Sequence, residues 1–193
     1  MTLKTALKTS TAALLLMGGT QAFADAHATH PTTGETLASD QTFIYRDLDE
    51  SPSIDPGVAE DSAGGDILRD LFEGLMNQAP DGSLIPGVAT GFTVSDDNLV
   101  YTFTLRDNAK WSNGDTVTAG DFEYAWKRAA SPELASPYSW YIELMSLENA
   151  SAVIAGEMGT DTLGVSALDD TTLEVRLTQP LPYFAQMVTH FTT

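Results

Sequence analysis

The stretch from Leu105 to Trp126, LRDNAKWSNGDTVTAGDFEYAW, constrains the fold more than any other part of the chain. It ends a strand, turns tightly and opens a capped helix. Asn113-Gly114 is a strong turn signal, because both residue types tolerate the positive φ that tight turns require. Thr118 stands three residues before Asp121 in a capping-box-like start. Its hydroxyl can accept from an orphan backbone N–H, and the carboxylate favours the positive helix end. Phe122, Ala125, Trp126 and Ala129 then recur at helical spacing, which predicts one apolar face.

The flanking segments set the fold class. Leu99, Tyr101, Phe103 and Leu105 alternate with Val100, Thr102 and Thr104, the pattern of a half-buried strand. Leu173, Val175 and Leu177 repeat it against Thr172, Glu174 and Arg176, with Asp169-Asp170 as the preceding turn. Upstream, Thr42–Arg46 is β-prone, and the loop DLDESPSIDPG is punctuated by Pro52, Pro56 and Gly57. Ala63–Leu75 reads as a helix with Ile67, Leu68, Leu71, Phe72 and Leu75 on one face. Glu148–Ala155 fits a further short helix. Pro182 suits the first turn of a last one, reaching His190. Strands and helices interleave without a regular βαβ rhythm. The expected class is therefore α/β in the mixed, α+β sense, with partly antiparallel sheet.

As a string, Leu105–Trp126 resembles the signature region of the oligopeptide- and dipeptide-binding proteins, the extracellular solute-binding protein family 5 of periplasmic receptors that serve ABC importers. Further landmarks follow in the family's order: Asp55-Pro56 in SIDP, RDLFEGL at Arg69–Leu75, Pro86-Gly87-Val88-Ala89, ASPY at Ala135–Tyr138, LGVSALDD at Leu163–Asp170 and QPLPYF at Gln179–Phe184. The likeness covers about Phe43 to Thr193.

The resemblance implies the first-lobe part of a bilobal, type II periplasmic-binding-protein-like fold. In that frame 42–72 is the first segment of the ligand-binding subdomain. Residues 73–193 are an inserted smaller subdomain, with the chain truncated before the second lobe. The implied function is the substrate-binding component of an ABC peptide transporter, here an incomplete receptor, capturing oligopeptides or similar small solutes. Its partners would be that ligand and the permease subunits in the inner membrane, the receptor itself a monomer without cofactors. In relatives the segment just after the D-P motif runs along the peptide and pairs with its main chain as an added strand. Such pairing binds any sequence, while roomy wet pockets accept varied side chains. Glu60, Asp61 and Ser62 hold that place. Ala63-Gly64-Gly65 departs from the pattern as a more flexible stretch. The tyrosine of ASPY lies at the cleft in relatives, which makes Tyr138 a candidate contact, with a buried structural tyrosine as the alternative. The anchor for a peptide's amino terminus belongs to the second lobe, and no residue here takes that role.

The first 24 residues read as an export signal, with Lys4 and Lys8, the apolar run Ala12–Met17 and an A-x-A site at Ala22-Phe23-Ala24. Residues 25–41 follow as an expected mobile leader. The chain has no cysteine, so disulfides and thiol chemistry are excluded. A lipid-anchor cysteine is missing too, and the expectation is a freely diffusing periplasmic protein rather than a lipoprotein. Losing Lys4 and Lys8 takes the net charge from −18 to −20, since all 27 acids lie beyond the signal. Nucleic-acid binding needs a basic surface and is excluded. The acids are spread along the chain, as expected of a solvated surface or of a saline habitat.

Enzyme chemistry finds little footing. Only His27, His30 and His190 supply imidazole, and neither G-x-S-x-G, H-E-x-x-H nor a P-loop occurs. Asp96-Asp97 and Asp169-Asp170 sit in predicted turns, where aspartate is expected for backbone reasons. The alternative readings are a small exported hydrolase, which would need His190 beside an acid and a serine, and a structural secreted domain without ligand.

Overall fold

In the computed structural model the alternating segment becomes β4 (Val100–Leu105), an inner strand of a four-stranded antiparallel sheet. The structure describes residues 49–193 continuously and, before them, 29, 33–38, 40, 42, 44 and 46. The expected signal peptide, His27 and His30 lie outside the described residues, as do Phe43 and Tyr45 of the first expected strand. The chain divides into two compact units, Met1–Arg46 and Asp47–Thr193. In the first, Thr29 and Thr36 form an antiparallel bridge.

The second unit carries every helix and every strand longer than a bridge among the described residues. Helix α1 (Ser62–Leu71) leads to a small antiparallel pair, β1 (Met76–Gln78) and β2 (Leu84–Pro86). The main sheet follows in the order β3-β4-β6-β5, with β3 (Ala89–Val94), β5 (Val165–Asp169) and β6 (Thr172–Arg176). Between β4 and β5 lie α2 (Ala119–Ala130), α3 (Ser139–Leu144) and α4 (Ala150–Ile154), and α5 (Phe184–Met187) comes last.

Register explains why the sheet has one dry face. Phe103 stands opposite Phe92 on one side and Leu173 on the other, and Tyr101 opposite Val94 and Val175. Paired residues share a face, so Tyr101, Phe103, Leu105, Leu173, Val175 and Val165 form one buried layer. Helix α2 packs on β5 and β6, burying Phe122, Trp126 and Ala129. Phe184 closes the layer from the other end, 4.6 Å from the Tyr101 ring and 6.5 Å from Phe103. Glu123 fastens α2 to the edge strand by accepting from the Ala167 N–H at 2.8 Å while pairing with Lys127.

The helix start is built as its sequence predicts. Asp121 accepts from the Thr118 N–H at 2.7 Å and from the Thr118 hydroxyl at 3.1 Å. In the preceding turn only Gly114 takes a positive φ, +94°; Asn113 instead accepts from the Asp115 N–H through its side chain. Ala125 faces solvent rather than the core.

Helix α1 ends at Leu71, four residues short of the expected Leu75. The reason is a competing set of backbone bonds. The N–H groups of Gly87, Val88 and Ala89 donate to the carbonyls of Leu75, Gly74 and Leu75, drawing 74–75 into an extended path. Gly87 has to be glycine here, because a Cβ would fall 2.3 Å from the Gly74 carbonyl oxygen. The expected apolar face is split accordingly: Leu68 and Leu75 are buried, whereas Leu71 is 59% and Phe72 43% exposed. Helices α4 and α5 are also shorter than their expected spans, and after Met187 the chain continues in i→i+3 turns.

Phe103 touches both neighbouring strands and Phe184 and is fully buried. Its replacement by alanine is expected to cost about 3–5 kcal/mol in urea unfolding of the full chain. A loss below about 1 kcal/mol would show that the layer is not the core.

Candidate functional site

The loop before α1 is tied down at two points. Ser53 accepts from the Asp55 N–H, and Asp55 accepts from the Gly57 N–H at 2.9 Å. The same carboxylate receives both amino groups of Arg128, at 2.8 and 2.6 Å, a fork that crosses 73 residues of chain. That fork is the main cause holding the Asp55 carboxyl below its usual range, against the opposing effect of burial. Asp61 makes the second tie as the N-cap of α1. It accepts from the Gly64 N–H at 2.8 Å and the Ser51 hydroxyl at 2.9 Å, and the two together keep its carboxyl low.

The expected contact loop therefore has a definite local form. Glu60 is exposed, Asp61 is a cap and Ser62 is the exposed first residue of α1. Ala63-Gly64-Gly65, read from sequence as a flexible stretch, is helical and buried. Gly65 lies against a ring: a Cβ at this position would stand 3.0 Å from Phe191. Arg69, one turn on, places its guanidinium 6.0 Å from the same ring.

Tyr138 is the N-cap of α3 and half-buried. Its ring lies 5.7 Å from Phe191 in an edge-on contact, 5.1 Å from His190 and 5.4 Å from Trp140. Tyr141 stacks on His190 at 4.5 Å and donates its hydroxyl to the Met187 carbonyl; burial pushes its pKa up to about 12. Phe191 thus touches both α1 and Tyr138 and brings two of the predicted site elements into one neighbourhood. Sequence reading missed it. It also treated Asp55 only as a family landmark, with no local signal pointing to Arg128.

The hydrolase alternative needs an acid and a serine at His190. The structure instead packs this ring among Tyr138, Tyr141 and Phe191, with Nδ1 accepting from the Thr192 N–H. No hydrogen bond joins it to a serine or carboxylate among the described residues. Nor does any group of three His, Cys, Asp or Glu among them have the spacing to hold a metal ion.

Set on this geometry, comparison with known proteins identifies the class. The mixed α/β architecture with antiparallel sheets is that of the chain's structural neighbours, type II periplasmic binding proteins. The chain belongs to the bacterial extracellular solute-binding proteins, family 5, whose middle-region profile matches residues 83–193. It is 44% identical over 165 residues to the periplasmic murein peptide-binding protein MppA of Escherichia coli K12, covering 86% of this chain and 30% of that protein. The substrate-binding domain of an oligopeptide ABC transporter from Bacillus anthracis superposes with a TM-score of 0.79 at 42% identity, covering 82% of this chain and 30% of that one. Haemophilus influenzae OppA, solved in complex with RPPGFSPFR, matches with a TM-score of 0.73 at 40% identity, covering 74% and 28%. The chain spans about three tenths of the length of the curated relatives it matches.

Burial, with Arg69 as a lesser cause, lowers the His190 pKa from 6.5 to about 4. The unfolded chain binds this proton more readily than the folded one. Its contribution to stability is therefore complete above about pH 6.5 and lost as the pH falls toward 4. An NMR titration of the imidazole resonance that disappears in His190→Gln should give a midpoint near 4. A midpoint at the ordinary value would mean that the ring cluster is open to water.

Proposed function

We propose that this chain forms one side of a periplasmic receptor that captures peptides or similar small solutes and delivers them to an ABC importer. The observation that carries the reading is the junction through Phe191, which packs the helix beginning at Asp61-Ser62 beside Tyr138. Glu60, Asp61, Ser62 and Tyr138 are the proposed ligand contacts. Relatives named for murein-peptide and oligopeptide binding support the choice of ligand class. Within this reading, 42–72 belongs to the ligand-bearing subdomain and 73–193 to the smaller one inserted after it. Export with cleavage near Ala24, release as a monomer without a lipid anchor, and docking on permease subunits of the inner membrane complete the assignment.

The mechanism asks for binding, not bond chemistry. A bound peptide would lie along the loop and helix start at 60–62, where Glu60 and Ser62 are exposed, with its main chain supplying hydrogen bonds that do not depend on sequence. Tyr138, fixed from behind by His190 and Phe191, offers a rigid aromatic surface at low entropic cost. Capture by such receptors couples to hinge closure, and the ligand favours the closed state only as far as it binds that state better. One side of such a cleft retains only part of the contacts, so millimolar affinity is the appropriate scale, about 4 kcal/mol.

Titration of the exported chain with tri-alanine, followed by amide NMR, should give saturable shifts at 60–62 and 138. Tyr138→Ala should weaken binding about fivefold or more. An absence of shifts, or shifts indifferent to Tyr138→Ala, would contradict the assignment.

A further inference from the structure

Next to Tyr138 lies a second surface that the proposed contacts do not use. An open groove of about 460 Å³ runs along α3 toward the segment before α5, lined by Trp140, Leu144, Leu181 and Tyr183 and by one charged residue, Glu143. Trp140, Leu144 and Tyr183 are each 53% exposed. The indole is braced on one side by Tyr138 at 5.4 Å and edge-on by Tyr141 at 5.8 Å, so its position is fixed while much of its surface stays open. The two remaining polar residues satisfy each other: Gln179 donates to the Ser146 hydroxyl at 3.0 Å. Glu143 accepts one bond, from the Ser151 hydroxyl at 2.6 Å, and forms no ion pair among the described residues. No lysine or arginine lines the groove among the described residues.

This setting is complementary to a particular side chain. A fixed tryptophan face attracts a cation held over it, aliphatic walls accept a methylene stem, and a carboxylate with an open oxygen completes the charge. The chain as a whole is acidic, 27 acids against nine lysines and arginines, so its surface potential draws cations toward it, and no lysine or arginine of the groove already occupies Glu143. We propose that the groove beside Trp140 receives a lysine or arginine side chain of the bound peptide. The proposal deepens the receptor reading and rests on it. Trp140 and Glu143 are then specificity residues: Tyr138 takes the peptide without regard to sequence, and the groove favours those that carry a positive side chain next to it. Acidic peptides should be rejected by the same carboxylate.

The test uses the full chain with indole nitrogen labelled, reading the Trp140 cross-peak that is lost in Trp140→Phe. N-acetyl-lysine methylamide is titrated against its uncharged isostere, the norleucine analogue. The lysine compound should shift the peak saturably and bind about threefold or more tighter than the norleucine one. Glu143→Gln should remove that preference, and so should about 0.5 M salt on the unaltered chain, which guards against a variant that merely perturbs α3. Equal affinity for both compounds, or no shift, would overturn the proposal. Tri-alanine binding at Tyr138 that persists in that case leaves the receptor reading standing. Lysine binding at Trp140 without any tri-alanine binding would support the groove and sink the receptor reading.

Discussion

Strand β4 has one dry face, and the burial of that face sets the position of nearly everything else. Phe103 and Tyr101 occupy the middle of the layer, and each large side chain so buried contributes roughly 2–3 kcal/mol. The layer reaches the candidate site by a short chain of contacts. Tyr101 donates its hydroxyl to the Leu181 carbonyl at 3.1 Å, and Phe184 packs on the Tyr101 ring. Met187 then offers its carbonyl to Tyr141, and His190 and Phe191 close on Tyr138. Tyr138, the proposed ligand contact, is thus set by a core strand far from it in sequence.

Electrostatics plays a smaller but more selective part. Five of the cations are paired: Arg69 with Asp66, Arg106 with Glu73, Lys127 with Glu123, Arg128 with Asp55 and Arg176 with Glu174, while Lys110 donates to the Thr116 hydroxyl instead. Partly exposed pairs of this kind are worth about 1 kcal/mol or less, well below a buried aromatic. The Asp55–Arg128 fork does something the core does not. It fixes the path of the loop that leads to Asp61 against the end of α2, and a planar two-point contact sets direction as well as distance. Carboxylates outside these five pairs have no ion-pair partner among the described residues, and Glu143 in the Trp140 groove is one of them.

Much of this was legible in the sequence, for identifiable reasons. Period-two alternation marked β4 and β6 because each has one wet face, and the Thr118–Asp121 spacing marked the start of α2 because capping is local. The motifs of the peptide-binding family carried the fold class and singled out Tyr138 as a candidate contact. What was not legible is long-range. The early end of α1 depends on backbone bonds from 87–89, which outweigh an apolar periodicity that runs on to Leu75. The fork between Asp55 and Arg128 pairs residues with no local signature, and Phe191 acquires its role only because α5 turns it back onto Gly65. Trp140 stands three residues after Pro137, and its open face shows only once Tyr138 and Tyr141 are seen to brace it.

Residues 60–62 and Tyr138 are proposed to form a single peptide-contacting surface. Photo-crosslinking tests it most directly: a tripeptide carrying a benzoylphenylalanine is irradiated with the exported chain and the adducts are mapped by mass spectrometry. Adducts are expected in both segments and should diminish together when unlabelled tri-alanine is added. Adducts confined to other faces, or untouched by the competitor, would contradict the proposal.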